Sequence, residues 1–199
     1  MRSALHRFVL RPAMRGLTGF DVRCPNRLPA AGPAIVVANH NSHVDTALLL
    51  AAFPTQTVPL VRPVAAADYW FRNRVAAWLA RRVLGAVPID RSGASRDPLG
   101  PVSAALARGH IVVIFPEGTR GEPGKLGRFR SGVGRLAQKH PEVPVIPVWL
   151  AGCEEVLPRH GRWPRRRRCT VTVGELVRVR DADPRWTALW LQERVAELA

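Results

Sequence analysis

An α/β fold is predicted: a single domain with a mainly parallel or mixed central sheet flanked by helices, plus a short amphipathic helix at the N-terminus. Three observations predict it. β-Branched apolar runs, "AIVV" from Ala34, "IVVI" from Ile111 and "VPVIPV" from Val143, alternate with stretches of helical spacing. Two of these runs end directly in residues able to do chemistry, as strands of parallel sheets do at their carboxyl ends. A chain of 199 residues is long enough for one domain with a sizeable core but marginal for two.

The elements follow in order. Residues 2–16 give a weak helical pattern, with Leu5, Phe8 and Val9 on one side and Arg2, Arg7, Arg11 and Arg15 mixed around it. Residues 1–18 are therefore read as a basic amphipathic segment at a membrane interface, and 19–199 as the α/β domain. "DVRCPNRLPAAGP" is a short strand and a turn region. "AIVVANH" is a buried strand and "DTALLLAAF" a helix that begins at Asp45. "TVPLVRP" is a further strand. Residues 66–85 form the longest helix, on the spacing of Phe71, Val75, Trp78 and Leu79, with Gly85 to end it. "AVPIDR" is a short strand, 101–109 a helix, and "HIVVIFPEGTR" a strand running into a loop. The Gly-rich loop "GEPGKLGRF" precedes a helix over 131–140. "VPVIPVWLAG" is a strand, "RHGRWPRRRR" a basic loop, "CTVTVGELVRV" a strand, and 185–199 a closing helix.

Composition narrows the function. Hydrophobic residues are 47% and charged residues 23%, ordinary globular usage that excludes a disordered tail. The net charge of +15 predicts an anionic partner: nucleic acid, an acidic lipid surface or an acidic carrier protein. A bias of genomic base composition toward arginine accounts for the same excess. The arginines are widely spread, and no recognition helix, zinc finger or RNA-binding sheet motif is present, so no specific nucleic-acid partner is expected. Cys24, Cys153 and Cys169 form no CxxC pair and read as free thiols in a reducing compartment. The start lacks the continuous apolar region of a signal peptide, and no window approaches eighteen uninterrupted apolar residues. No signal peptide or transmembrane helix is therefore expected, and the protein is either soluble or lies on a membrane surface.

The chemistry gathers at two strand ends. His40 and Asp45 are five residues apart, about 140° on a continuous helix, so they would not meet there. A strand-to-helix turn can bring them together. Asp45 would then hold one imidazole nitrogen and leave the other free to take a proton. That is the His–Asp half of a triad without a protein nucleophile, so the hydroxyl to be activated would belong to the substrate. A helix-capping aspartate beside a structural histidine fits the same spacing. Metal-ligand patterns of closely spaced histidines, or H-E-x-x-H, are absent. In "FPEGTR", Gly118 allows close backbone approach, Thr119 offers a hydroxyl, and Arg120 a fork suited to phosphate. Lys125, Arg128 and Arg130 follow, and Arg91 ends another strand. Each of these cations also reads as a solvated surface charge.

Four blocks occur in order: "NHNSHVD" (39–45), "GAVPIDR" (85–91), "FPEGTR" (115–120) and "VPVIPV" (143–148). Together they resemble the glycerophospholipid acyltransferase family, which includes bacterial 1-acylglycerol-3-phosphate acyltransferases, over roughly residues 20–180. The resemblance implies His40 as the base that deprotonates the acceptor hydroxyl and Asp45 as the carboxylate that orients it. It implies Arg91, Glu117, Gly118, Thr119 and Arg120 as the acceptor and phosphate site, with Lys125 as a second cation and Asn39 and Ser42 as supports of the first block. The implied reaction moves a fatty acyl group to the free hydroxyl of a phosphorylated glycerolipid, lysophosphatidate first. Its co-substrate is an acyl-coenzyme A or acyl carrier protein thioester, with no cofactor, no metal and no covalent acyl-enzyme. Other acceptors (glycerol 3-phosphate, a lysophospholipid or a glycolipid) and an inactive lipid-binding scaffold are the alternatives. Glu122, close behind Arg120, departs from the usual pattern and would oppose a phosphate.

Overall fold

The computed structural model describes residues 1–70, 74–90, 95–119, 121–122, 124–157, 164–180 and 183–199. The chain starts as α1 (Arg2–Leu5), widens to a π-type turn over His6–Leu10, and continues as α2 (Arg11–Thr18), which Gly19 closes at φ +49°. Then come β1 (Asp21–Arg23), β2 (Ala34–Ala38), α3 (Asp45–Ala52), β3 (Val61–Ala66), α4 (Ala67–Trp70) and α5 (Arg74–Trp78). The remainder is β4 (Val87–Ile89), α6 (Gly100–Ala107), β5 (Ile111–Ile114), α7 (Gly132–Lys139), β6 (Val145–Ala151), α8 (Cys153–Val156), β7 (Thr170–Val173) and α9 (Pro184–Ala196).

The sheet has seven strands in the order β1-β7-β6-β2-β5-β3-β4. The five from β6 to β4 are parallel; β7 runs antiparallel to β6, and β1 runs parallel to β7. This is the mixed α/β architecture that the alternation of elements predicts. β2 lies near the middle and is buried along its whole length, which is why it reads as an unbroken apolar run. Its alternate residues serve two cores. Ala34, Val36 and Ala38 pack with Leu48, Leu49 and Phe53 around α3, while Ile35 and Val37 pack with Leu106, Leu136 and Leu191 from α6, α7 and α9. Parallel pairing aligns the carboxyl ends of β2, β5 and β6 along one edge of the sheet.

The N-terminal helix lies on the domain. His6 is buried, its Nε2–H donating to the Leu50 carbonyl and its Nδ1 accepting from the Thr55 hydroxyl, each at 3.1 Å. Met14 and Thr18 are buried as well, whereas Phe8 and Val9 face outward.

Several boundaries differ from expectation. Val58–Leu60 is a 3₁₀ turn and the strand starts only at Val61; Pro59 lacks the N–H a ladder needs but suits a tight turn. The helix expected over 66–85 is described as α4, α5 and a π-type stretch Leu79–Leu84 that stops at Gly85, φ +69°; residues 71–73 lie outside the described ones. β7 ends at Val173: Gly174 still donates to the Pro147 carbonyl opposite it, but Pro147 has no N–H to return the bond, and the next pairing is Val177 with Val145. α8 was not anticipated. No helix among the described residues is long and apolar enough to cross a membrane.

Candidate active site

β2 delivers its last residues to the sheet edge, and the chain turns at once into α3. Asn39, immediately after β2, is fully buried. Its amide donates to the Leu150 carbonyl at 2.9 Å and accepts from the Leu150 N–H at 2.7 Å. The side chain thus ties the end of β2 to β6 and fixes where His40 emerges. Asp45 opens α3, with its side chain only 1% exposed. Its Oδ2 accepts from His40 Nδ1 at 2.8 Å, from the Asn41 N–H at 2.7 Å and from the Ser42 N–H at 2.8 Å. The carboxylate therefore faces back into the turn, not forward to cap its own helix, which decides between the two arrangements the spacing allowed. Because Nδ1 donates to Asp45, the neutral imidazole carries its lone pair on Nε2. The ring is 22% exposed and stacks on Phe115, 4.5 Å between centroids.

The loop after β5 closes the other wall. The Glu117 carboxylate is turned inward: Oε1 accepts from the His40 N–H at 2.7 Å and Oε2 from the Gly127 N–H at 2.9 Å. A methyl group at Gly127 would stand 2.4 Å from Oε2, so glycine is needed for this approach. Burial pushes Glu117 above its ordinary value, while the N–H groups of His40 and Gly127 pull it down. Gly121 N–H donates to the His40 carbonyl at 2.9 Å. Both peptide groups of His40 are thus held by the "FPEGTR" loop and the glycine just after it, and the first and third blocks form one unit.

The other expected residues are placed as follows. Gly118 takes φ +75°, close against the Arg130 side chain. Thr119 is exposed beside it. Ser42 Oγ donates to the Leu157 carbonyl at 3.1 Å. Lys125 is exposed and pairs with Glu122 at 2.7 Å. Arg91 and Arg120 lie outside the described residues. Phe115 and Gly127 were missed as partners of the site. Phe115 precedes the polar turn directly, which is the signal that could have drawn notice; Gly127 left none. No group of side chains suited to a metal ion is present among the described residues. The Cys153 thiol is kept protonated by its hydrogen bond to Cys169, by burial and by the Asp45 carboxylate, which disfavours it as a nucleophile.

With this geometry in view, comparison with known proteins is direct. The family described as Acyltransferase matches residues 19–151. The chain belongs to the acyltransferase family. Among curated relatives it is 32% identical over 146 residues to the chloroplastic 1-acyl-sn-glycerol-3-phosphate acyltransferase BAT2 of Brassica napus, which covers 69% of this chain and 39% of that protein. It is 29% identical over 157 residues to 1-acyl-sn-glycerol-3-phosphate acyltransferase alpha of Bos taurus, covering 77% of this chain and 52% of the relative. The chain therefore spans about half the length or less of these relatives. The solved structure of the 1-acyl-sn-glycerophosphate acyltransferase PlsC of Thermotoga maritima superposes with a TM-score of 0.74 at 25% identity, covering 100% of this chain and 83% of that one. This member of the family thus shares the PlsC fold across its whole length, and the matched region contains both the His40–Asp45 turn and the Glu117 loop.

Proposed function

We propose that this acyltransferase moves a fatty acyl group from a thioester of coenzyme A or acyl carrier protein to the free hydroxyl of lysophosphatidate, forming phosphatidate. The observation that carries the reading is the single oxygen of buried Asp45 that holds His40 Nδ1 and two loop N–H groups. It leaves Nε2 as the base. Nε2 takes the acceptor hydroxyl proton as the oxygen attacks the thioester carbonyl. The C–S bond then breaks, and the imidazolium returns the proton to the departing sulfur. No acyl-enzyme intervenes: the Cys153 thiol is held protonated, and the Ser42 hydroxyl is engaged with Leu157. The acceptor follows the names of the Brassica napus and Bos taurus relatives.

In this reading Gly118, Thr119 and Lys125, with Arg91 and Arg120, receive the acceptor phosphate, and Lys125 exchanges Glu122 for it. Glu117 acts through the peptide of His40 instead of touching substrate. The enzyme works peripherally on the cytoplasmic face of the membrane, where exposed Phe8, Val9, Val75 and Trp78 meet lipid. The test is thiol release from palmitoyl-coenzyme A and from acyl carrier protein thioesters, with lysophosphatidate in detergent micelles. Wild type should form phosphatidate, and folded His40→Ala should lose about 10²–10⁴-fold in rate. Full activity in His40→Ala sinks the mechanism. Silence of the wild type toward lysophosphatidate and the other acceptors sinks the activity.

A further inference from the structure

A cleft of about 530 Å³ opens at the opposite end of the sheet, where β3, β4 and β5 begin. Its wall includes Arg2, Arg62, Arg81, Arg108 and His110, and none of the described residues lining it is acidic. The site at His40 lies beyond the carboxyl end of β2. Strands rise roughly 3.3 Å per residue, so the length of β2 separates the two ends by about 16 Å.

The cations are built in. Arg2 reaches from the N-terminal helix to donate to the carbonyls of Pro59 at 3.3 Å, Val61 at 2.9 Å and Leu84 at 2.7 Å. Its Nε is buried without a hydrogen-bond partner among the described residues. Gly85 makes the room, since a methyl group there would stand 2.4 Å from the guanidinium carbon. Arg62 donates to the Pro59 carbonyl at 2.7 Å and to His110 Nε2 at 2.9 Å, while His110 Nδ1–H donates to the Ala105 carbonyl at 3.1 Å. His110 is therefore neutral, with both nitrogens occupied. Burial and then the charge of Arg62 hold Arg2 down to about 10. Carbonyl partners satisfy N–H groups but do not neutralise charge, so the positive charge of Arg2 and Arg62 stays concentrated on one concave wall.

We propose that this cleft is a second ligand site, which binds a phosphate-bearing anion through Arg2, Arg62 and Arg108. Arg108, exposed at the rim, offers a guanidinium fork that matches phosphate oxygens in pairs. Arg2 and Arg62, whose terminal nitrogens are tied to carbonyls and His110, attract the anion by their charge. A recess of this size holds one phosphorylated group. The inference does not depend on what His40 does.

The test uses inorganic pyrophosphate, titrated calorimetrically into the full chain at low salt. Arg108→Glu and Arg135→Glu are compared, because both change the net charge equally and Arg135, exposed on α7, does not line the cleft. Arg108→Glu should weaken binding at least tenfold, and Arg135→Glu less than twofold. Arg62→Gln, checked for folding by circular dichroism, should weaken it similarly to Arg108→Glu. Sedimentation with phosphatidylglycerol-containing vesicles then separates the sources. If vesicle affinity falls with pyrophosphate affinity in Arg108→Glu, the natural ligand is a lipid headgroup. If only pyrophosphate affinity falls, it is a soluble phosphate compound. Equal weakening by Arg108→Glu and Arg135→Glu, or no pyrophosphate binding by wild type, overturns the proposal.

Discussion

Asp45 gathers three donors on one oxygen, so its replacement separates charge from shape. Asp45→Asn keeps the size and an acceptor oxygen for the three donors, but it removes the charge and leaves its NH2 at the buried Oδ1 position, which has no hydrogen-bond partner among the described residues. Acyl transfer should fall roughly 10²–10⁴-fold, and unfolding free energy by about 1–3 kcal/mol for the unmet buried groups. Wild-type turnover in the Asp45→Asn variant would remove Asp45 from the mechanism. Glu117 makes a separate prediction about pH. Burial raises it above its ordinary 4.5, so the folded state keeps its proton to higher pH than the unfolded chain does. Its contribution is therefore most favourable below about 4.5 and is lost as pH rises through the raised value. Glu117→Gln removes that titration. The Tm of wild type minus that of Glu117→Gln should fall from about pH 4.5 toward neutrality; a flat or rising difference contradicts a proton-holding carboxylate. The contrast in legibility is physical. His40 and Asp45 are separated by one turn, and turn geometry is local. For Glu117 the family resemblance implies only an acceptor-site role; its contacts were not legible, because His40 and Gly127 are 77 and 10 residues away and only folding brings them near.

At the scale of elements, β2 is pinned by Asn39 and the second core by the contact of α7 with α9. Asn39→Ala breaks both hydrogen bonds to Leu150 and leaves buried backbone groups without partners. It should lower stability by about 2–4 kcal/mol in chemical denaturation and reduce activity by displacing His40; an unchanged midpoint would show that β6 holds β2 without it. Gly134 sits where a methyl group would stand 2.0 Å from the Pro184 carbonyl oxygen. Gly134→Ala must push α9 away and should cost about 1–3 kcal/mol, with little effect on His40, since neither helix contributes to the Asp45 turn. The central strands are legible because burial on both faces makes them uniformly apolar. The start of β3 is not, because Pro59 belongs to a turn that apolar composition does not distinguish from strand. α8 escapes notice because its four residues are too few to show a helical period.

At the scale of the molecule, the proposed membrane attachment has exposed apolar groups and the net charge of +15 acting together. Phe8 is 71% and Trp78 56% exposed, so neither supports the core. The double variant Phe8→Ser/Trp78→Ser should keep its Tm while its affinity for anionic vesicles falls at least about tenfold, from roughly 1.5–3 kcal/mol of transfer energy per large apolar side chain. Raised salt should weaken the remaining binding. Vesicle binding that ignores both changes would place the membrane contact elsewhere. The expected stripe of Leu5, Phe8 and Val9 is divided: the helix buries His6 and Met14 against the domain and turns Phe8 and Val9 outward.

The amino-acid sequence by itself determined the class of fold, the order of the main elements and the presence of His40 and Asp45 within one strand-to-helix turn. Each of these rests on composition and short-range spacing, which a linear chain carries. The tertiary structure alone decided that Asp45 faces the turn and not its helix, that Glu117 holds the peptide of His40, and that Arg2 and Arg62 share a cleft with Arg108. Those depend on groups far apart in the chain converging in space, where burial and charge, absent from any short segment, set what each side chain can do.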